Sequence, residues 1–240
     1  MLRSRLLHDV PHAFTDIAVG DLRPSAEGFE ARAAGLVAAI GGRGPLVSVS
    51  QVHGDRVVHA GDVRAGTEAD AIVSTLPGQV VAVRVADCVP ILMVARAGTG
   101  AGAVVAVHAG WRGTAAGIAE RGLESLCRAS GASPHEVRAA IGPAICTGCY
   151  EVGSEVVEGL ARVVPGTTAS QVWMRPTRPG HALVDVRAVN AAILRARGVE
   201  VDVLTACTRC ARAGDAPVYW SHRRDPAHAG RQAGVVALPG

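Results

Sequence analysis

The sequence predicts one layered α/β domain covering residues 1–240, and three observations lead to this fold class. Several strand-like runs are almost continuously apolar, which is typical of strands that are covered on both faces. Helical patterns lie among these runs without the regular alternation of a doubly wound fold, so the element order is α+β-like. The chain of 240 residues contains no linker or internal repeat, which favours a single unit.

Seven segments have the composition of β-strands. They are rich in Val, Ile, Ala and Leu, and in chain order they are residues 45–53, 69–75, 79–87, 90–97, 102–109, 137–143 and 199–206. Few of them alternate apolar and polar residues. We therefore expect a sheet with helices or a second sheet on each face.

Three segments have helical patterns. The first begins at Thr114, which is a suitable N-cap, and ends at Gly131. The second covers residues 151–164, where apolar side chains form one stripe. The third begins at the cap residue Asp185 and ends at Gly198.

Composition limits the classes of function. Hydrophobic residues make up 49% and charged residues 19%, which is enough for a substantial core. Aromatic residues make up only 3%, so nucleic-acid binding through stacked aromatic rings is not expected. The net charge of +3 also falls short of the basic patch that such proteins carry. The chain has no lysine, which excludes Schiff-base catalysis and leaves Arg and His to hold any anion.

The sequence also predicts the cellular compartment and the state of the cysteines. The N-terminal segment MLRSRLLHDVPHAF has no long apolar region, so no signal peptide is expected. No uncharged apolar run approaches about 18 residues, so no membrane span is expected. We therefore expect a cytoplasmic protein whose six cysteines are thiols or metal ligands rather than disulfides.

Three strand-like runs end in a residue that can bind a metal. These residues are His53, Cys88 (directly after Asp87) and His108. Two imidazoles and one thiolate suit zinc, and three protein ligands leave the fourth position open for water or substrate. Two alternatives remain at this point: Cys88 as a thiolate nucleophile with a histidine base, or ordinary buried polar and small residues.

Two C-x-x-C pairs, at residues 146–149 and 207–210, form a second candidate ligand set. Two such pairs are the composition of a structural four-cysteine zinc site. Their separation exceeds the spacing of a zinc ribbon, so only the fold could bring them together. Reduced thiols without a metal are the default expectation.

Three arginines are candidates for binding an anion. Arg112 lies between two glycines in GWRG, and Arg223 and Arg231 belong to the basic segment 221–234. Glycine beside arginine lets a phosphate approach the backbone, and a guanidinium can make two-pronged contacts to an oxyanion. The alternatives are a solvated loop for residues 221–234 and, for Arg112, an ion pair that fixes the turn.

Longer strings resemble the YfiH-like family, which is also called laccase-domain or polyphenol oxidoreductase-like. The strings, in chain order, are SQVHGDRVV, EADAIVST, VADCVPILM, VHAGWRGTAAGI, IGPAICTGCYEVGSEV, ACTRCA and YWSHRRD followed by GRQAG. The resemblance extends from about residue 12 to residue 238. Bacterial members are often labelled peptidoglycan editing factor. One departure follows the HAF element, where the family usually has Thr-Arg-x-Gly-Gly and this chain does not.

The resemblance implies a fold, a metal and an activity. The fold is one layered domain with mixed β-sheets packed between helices, similar to the cytotoxic necrotizing factor deamidase domain. The metal is zinc, on His53, Cys88 and His108. The activities are phosphorolysis of purine nucleosides, including methylthioadenosine, and deamination of adenosine, so the expected partners are purine nucleosides and phosphate. The alternatives are a Cys–His hydrolase that edits peptidoglycan precursors and a copper-dependent polyphenol oxidoreductase.

Three residues are therefore the catalytic candidates, namely Asp87, Cys88 and His108. Asp87 is expected to be an acid–base group or a residue that orients a ligand. Phosphorolysis also needs a phosphate site, and in a chain without lysine we expect it at Arg112, Arg223 and Arg231.

Overall fold

Strands and helices follow one another irregularly along the chain. The computed structural model describes residues 1–95, 102–164, 166 and 173–240. The strands in these residues are β1 (His12–Phe14), β2 (Arg43–Val47), β3 (Val57–His59), β4 (Ala71–Ser74), β5 (Gln79–Val85), β6 (Val89–Ala95), β7 (Ala103–Ala109), β8 (Val137–Ile141), β9 (Glu151–Gly153), β10 (Met174–Pro176), β11 (His181–Val184), β12 (Glu200–Val203), β13 (Arg212–Ala213), β14 (Ala216–Pro217) and β15 (Gln232–Val236). The α-helices are α1 (Phe29–Ala39), α2 (Trp111–Ala115), α3 (Ile118–Ser130), α4 (Ser154–Ala161) and α5 (Val186–Ala196).

Two mixed sheets form the body of the protein. The larger has six strands in the order β12-β8-β6-β7-β4-β3, and the second has four strands in the order β1-β15-β5-β2. The strands β10-β11-β9 and β13-β14 form two further small sheets. In the larger sheet β12 and β8 are parallel and β6 and β7 are antiparallel. This is the mixed architecture that the family resemblance implies.

The layers follow from the two apolar faces of the central strands. Alternate residues of β6 and β7, such as Leu92 and Ala106, face the second sheet and pack with Val81 and Val83 of β5. The other alternate residues pack against helices α3 and α5. Helix α1 covers the outer face of the second sheet. Because both faces are covered, every residue of β6 and β7 is buried, which explains the nearly continuous apolar runs.

Most predicted strands are confirmed, with shifts at their ends. The run predicted at 45–53 is a strand only over Arg43–Val47, and the remainder is the loop that carries His53. The last two residues of the run predicted at 90–97 lie outside the described residues. Strands β1 and β15, which pair with each other, were not predicted.

The helix predictions need two corrections. The segment predicted at 151–164 is an α-helix only over Ser154–Ala161, and its first three residues form β9. Thr114 is not an N-cap: it is buried inside the short helix α2 and accepts a hydrogen bond from Asn190 Nδ2 at 2.9 Å. The helical conformation is interrupted at Gly117, whose φ of +87° favours glycine, and α3 begins directly after it. The Asp185 cap is confirmed, since its carboxylate accepts from the backbone N–H groups of Arg187 and Ala188. None of the helices in the described part of the chain is long and apolar enough to cross a membrane.

Candidate metal centre and its cavities

Three loop and strand ends meet at one edge of the six-stranded sheet. His53 lies in the loop before β3, Cys88 between β5 and β6, and His108 near the end of β7. Cys88 Sγ lies 3.7 Å from His53 Nε2, and the two imidazole rings meet edge to face with centroids 4.8 Å apart. One ligand atom from each residue lies within 4.8 Å of the others. We name these residues the His–Cys–His group.

Strand pairing places two of the three residues side by side. In the β6–β7 hairpin Pro90 pairs with His108 and Val89 pairs with Ala109. Cys88 therefore falls just beyond the last pair, beside Gly110. A Cβ atom on Gly110 would lie 2.8 Å from the His53 ring and 3.2 Å from Cys88 Sγ, so only glycine lets the chain approach this closely.

Asp70, directly before β4, holds the His–Cys–His group in position. Its side chain is fully buried, and Oδ1 accepts a hydrogen bond of 2.7 Å from His108 Nδ1. Its carboxylate also accepts from the backbone N–H groups of Val52, His53 and Gly54. One buried carboxylate thus fixes the ring of His108 and the loop that carries His53, an arrangement that is common for residues that orient metal-binding histidines.

Two non-glycine residues at the site have left-handed backbone conformations. The φ angle is +61° at His53 and +92° at Asp87. Side-chain-bearing residues rarely adopt these values, and such strain concentrates at functional sites. The His53 loop is held in place by Asp70 on one side and, on the other, by Gln51, whose amide makes two hydrogen bonds to the backbone of Arg84.

The charges of Cys88 and His108 support each other. Burial alone would raise the pKa of the Cys88 thiol, but the charge of His108 and hydrogen bonds with both histidines lower it to about 6. Burial alone would lower the pKa of His108, but Cys88 and Asp70 raise it to about 9. Without a metal, the pair is therefore a thiolate and an imidazolium near neutral pH. A metal cation would replace the proton on His108 as the positive partner of the thiolate.

The donor set fits a catalytic transition-metal site. It offers two imidazole nitrogens and one sulfur, with His108 buried, Cys88 half-buried and His53 exposed. Since His108 Nδ1 is engaged by Asp70, its Nε2 is left for a ligand role. Three ligands at the wall of a cavity leave a position open for substrate.

The first cavity beside the group, which we name the Tyr150 cavity, has a volume of about 190 Å³. His53 and Cys88 line it together with Arg112 and Arg223, two of the predicted anion ligands. The Arg112 guanidinium stacks 4.3 Å above the Trp111 ring, and that of Arg223 lies 4.9 Å from the Tyr150 ring. No carboxylate pairs with Arg112 within the described residues, which disfavours the ion-pair alternative.

The second cavity, which we name the Arg84 cavity, has a volume of about 520 Å³ and also reaches His53, Cys88 and His108. The third predicted anion ligand, Arg231, lines this cavity and not the first. Burial and the charge of Arg231 lower the pKa of Arg84, so two guanidinium groups converge here. Arg23 also lines it, so the segment that departs from the family pattern lies beside the centre.

Asp87 lies in the Tyr150 cavity wall, but its carboxylate is engaged. Oδ1 accepts a hydrogen bond from the Thr208 hydroxyl and Oδ2 from the backbone N–H of Arg223, both at 2.6 Å. These contacts join the Cys88 loop to the segments around residues 208 and 223. They favour the positioning alternative over acid–base chemistry.

Sequence reasoning missed several residues of the site. Asp70 was available in EADAIVST as an acid directly before a buried strand, and Arg84 as a charge within an apolar run. Tyr150, which lies under Arg223, carried no signal of its own. These residues are recognised only when the fold shows what they contact.

Two stacked mixed sheets with a His–Cys–His group at one edge define an α/β protein with a candidate metal centre. A family profile described as "Multi-copper polyphenol oxidoreductase laccase" matches residues 17–239, and the chain belongs to this family. The family resemblance drawn from the motifs is thereby confirmed.

Relatives with curated names add an activity class. A "Purine nucleoside phosphorylase" of Deinococcus radiodurans is 36% identical over 247 residues, covering 96% of this chain and 90% of that protein. An "Adenosine deaminase RL5" of an unknown prokaryotic organism is 40% identical over 68% of this chain and 59% of that protein. The crystal structure of Bacillus licheniformis hypothetical protein YfiH superposes with a TM-score of 0.82 at 24% identity, covering 97% of this chain and 94% of the other, and confirms the fold. Nucleoside-processing activity is thus represented among the named relatives.

Proposed function

We propose that this chain is a zinc-dependent purine nucleoside phosphorylase. The observation that carries the proposal is the position of the His–Cys–His group between two cavities that are both lined by arginine. One thiolate and two imidazoles suit zinc and leave an open position. The Deinococcus relative, which matches nearly the whole chain, supports the choice of reaction.

Phosphorolysis sets two requirements for the protein. A phosphate oxygen bonds to the anomeric carbon of the ribose while the glycosidic C–N bond breaks. The electron pair of that bond leaves with the purine, which then takes a proton, and ribose 1-phosphate is the second product. The protein must therefore hold a phosphate beside the ribose and stabilise the negative charge on the departing base.

We assign the phosphate to the Tyr150 cavity. Arg112 is exposed there and pairs with no carboxylate within the described residues, so its donors are available for an oxyanion. Arg223 supplies a second guanidinium on the same cavity. Arg231 is less available, because its Nη1 donates to the carbonyls of Ala229 and Gly230. It adds positive charge that attracts anions to the other side of the centre.

The remaining residues position the reacting groups. His53, Cys88 and His108 hold the zinc, which supplies Lewis acidity next to the substrate when bound. Asp70 holds the His108 ring in one orientation and tautomer through Nδ1. Asp87 acts as a positioning residue, because its carboxylate holds the backbone of Arg223.

Adenosine deamination is a second candidate activity of the same site. It is favoured by the match to the relative named adenosine deaminase, which covers 68% of this chain. A Cys–His hydrolase is favoured only by the thiolate character of Cys88. The copper oxidase finds less support, since multi-copper oxidation needs several histidine-rich sites, whereas the two candidate metal groups of the described residues hold two histidines in one and none in the other.

The experiment is incubation of the zinc-loaded protein with inosine, adenosine and methylthioadenosine, each with and without phosphate. We expect free base and ribose 1-phosphate only when phosphate is present. Cys88→Ala should lower kcat/KM by more than about 100-fold, the scale for losing one electrophilic contact in a transition state. Cys127→Ala, a half-buried thiol on α3, is the matched control and should retain activity.

Other outcomes contradict the proposal in distinct ways. Free base released at the same rate without phosphate would indicate a hydrolase. Ammonia released from adenosine without any free base would leave only the deaminase. Activity that survives metal chelation but is lost on thiol alkylation would support the Cys–His mechanism.

A further inference from the structure

The two C-x-x-C pairs, which are distant in sequence, meet in the fold. Cys146 and Cys149 lie in a single turn after β8, and Cys207 and Cys210 lie in a turn after β12. The four Sγ atoms all lie within 4.8 Å of one another. We name them the four-cysteine cluster.

Parallel pairing of two strands produces this arrangement. Strands β8 and β12 run side by side in the same direction, so both chains leave the sheet at the same edge. Beyond the strands, Ala144 forms an isolated bridge with Cys207, and the backbone N–H of Thr208 donates to the Ala144 carbonyl at 3.2 Å. The two turns are therefore aligned by backbone hydrogen bonds and not only by the cysteines.

The backbone around the cluster is arranged to stabilise a thiolate. Cys207 Sγ accepts hydrogen bonds from the backbone N–H groups of Cys146, at 3.3 Å, and of Cys210. Each pair thus sends one N–H group to the same sulfur. All four residues are free thiols, so no disulfide accounts for their proximity.

We propose that Cys146, Cys149, Cys207 and Cys210 bind one structural zinc ion, separate from the ion of the His–Cys–His group. A tetrahedral ion with Zn–S distances of about 2.3 Å holds its sulfurs about 3.8 Å apart, which is within the spread of these four atoms. Four sulfur ligands suit zinc and close its coordination sphere, so the ion supports structure rather than catalysis. Binding deprotonates the thiols, and the protons pass to solvent.

The position of the cluster indicates what the ion does. Tyr150, directly after Cys149, lines the Tyr150 cavity and lies under Arg223. Thr208, directly after Cys207, donates its hydroxyl to Asp87, which in turn holds the backbone of Arg223. Each pair is therefore followed by a residue that builds the same cavity wall. The ion joins these two segments, which are contributed by distant parts of the chain.

The first test counts zinc per chain in the full-length protein. We expect two zinc ions in the wild type, one in Cys88→Ala and one in the double variant Cys207→Ser/Cys210→Ser. Cys127→Ser, outside both groups, should keep two. Loss of the cluster ion should also lower the unfolding temperature by at least about 5 °C, because an ion that binds the folded chain stabilises it against unfolding. Two zinc ions in the double variant would overturn the proposal.

A second measurement tests the proposal without the double variant, in case that variant fails to fold. Cobalt is loaded into Cys88→Ala, which retains only the four-cysteine cluster. We expect the visible spectrum of tetrahedral cobalt with four thiolates and a stoichiometry of one. Cobalt that remains six-coordinate, or intact-protein mass spectrometry showing loss of two hydrogens per C-x-x-C pair, would overturn the proposal in favour of free thiols or disulfides. Both readouts are independent of phosphorolysis, so they stand or fall separately from the proposed activity.

Discussion

The His–Cys–His group and the four-cysteine cluster bring metal-binding side chains together in different ways. The first takes one residue from each of three segments, mixes nitrogen with sulfur and faces two cavities. The second takes two local pairs, contains only sulfur and is supported by backbone N–H groups. Three candidate ligands leave a coordination position open, whereas four close the site. The groups that hydrogen-bond to these side chains also differ, since Asp70 contacts the first group and backbone N–H groups contact the second.

The two groups also differ in how they balance charge. The Cys88 thiol has positive partners, and His108 and His53 outweigh burial to bring its pKa down to about 6. Cys146 has other thiols as neighbours, so burial and contact with Cys207 raise its pKa to about 12. The first group is thus charged without a metal, whereas the second needs a cation before all its sulfurs can ionise.

The largest effect is expected from Asp70→Asn, which should disable one group and spare the other. The variant removes the charge that pairs with His108 and leaves amide hydrogens facing the backbone N–H groups of Val52 and Gly54. Breaking a buried pair costs about 3–5 kcal/mol in the free energy of unfolding. Losing the residue behind a metal ligand costs about 10- to 100-fold in metal affinity. Denaturant unfolding and zinc titration measure the two effects.

Asp55→Asn is the matched control for this variant. Asp55 is part of an exposed ion pair with Arg121, with N–O separation 3.0 Å, and such pairs contribute at most about 1 kcal/mol. Zinc in the four-cysteine cluster should be retained in both variants. If Asp70→Asn bound zinc at the His–Cys–His group with wild-type affinity, the organising role of Asp70 would be wrong.

An intermediate effect is expected from Arg112→Lys, which tests the proposed phosphate site in the Tyr150 cavity beside the His–Cys–His group. A lysine keeps the charge but loses the two-pronged contact to an oxyanion. Catalysis should weaken by about 1.5–3 kcal/mol, the scale of a hydrogen bond to a charged group, which is about 10- to 150-fold in kcat/KM. Most of the loss should appear as a higher KM for phosphate. Steady-state kinetics with varied phosphate measure it.

Arg121→Lys provides the control, because Arg121 is an exposed arginine that pairs with Asp55 away from the cavities. Both variants should keep the full zinc content, since neither residue is a ligand. Unchanged phosphate kinetics in Arg112→Lys would remove this residue from the proposed phosphate site. Loss of zinc would instead show that Arg112 supports the centre.

The smallest effect is a pH dependence of thiol reactivity in protein from which metal has been removed. Alkylation needs the thiolate, and a lowered pKa keeps Cys88 ionised until the pH falls through that value. With a pKa of about 6, the alkylation rate of Cys88 should drop about tenfold between pH 7 and pH 5. Cys146, whose pKa is raised, should react slowly across this whole range. Peptide mass spectrometry after timed iodoacetamide treatment separates the two.

His108→Asn sharpens this measurement, because it removes the charge that lowers the pKa of Cys88. In that variant the fall in alkylation should move to higher pH. Zinc added before iodoacetamide should protect Cys88 in the wild type. A rate for Cys88 that keeps rising up to pH 9 in the wild type would show that the thiolate is not stabilised by the histidines.

Much of the fold could be predicted because its strongest signals are local. The apolar runs of β6 and β7 are long enough to identify strands covered on both faces, and the Asp185 cap shows where α5 begins. The break at Gly117 was missed because an isolated glycine is tolerated inside a helical pattern, and only its φ of +87° in the fold marks the break. Strands β1 and β15 were missed because their pairing joins the two ends of the chain.

The sequence by itself determined the side-chain types of the candidate metal centre, since His53, Cys88 and His108 each follow an apolar run and match family motifs. It also determined that arginine must hold any anion, because the chain has no lysine. Only the tertiary structure decided that Asp70 lies behind His108, that Arg231 lies on a different cavity from Arg112, and that the two C-x-x-C pairs meet. The physical reason is that residue type depends on local chemistry, whereas proximity depends on strand register and on parallel pairing between distant segments.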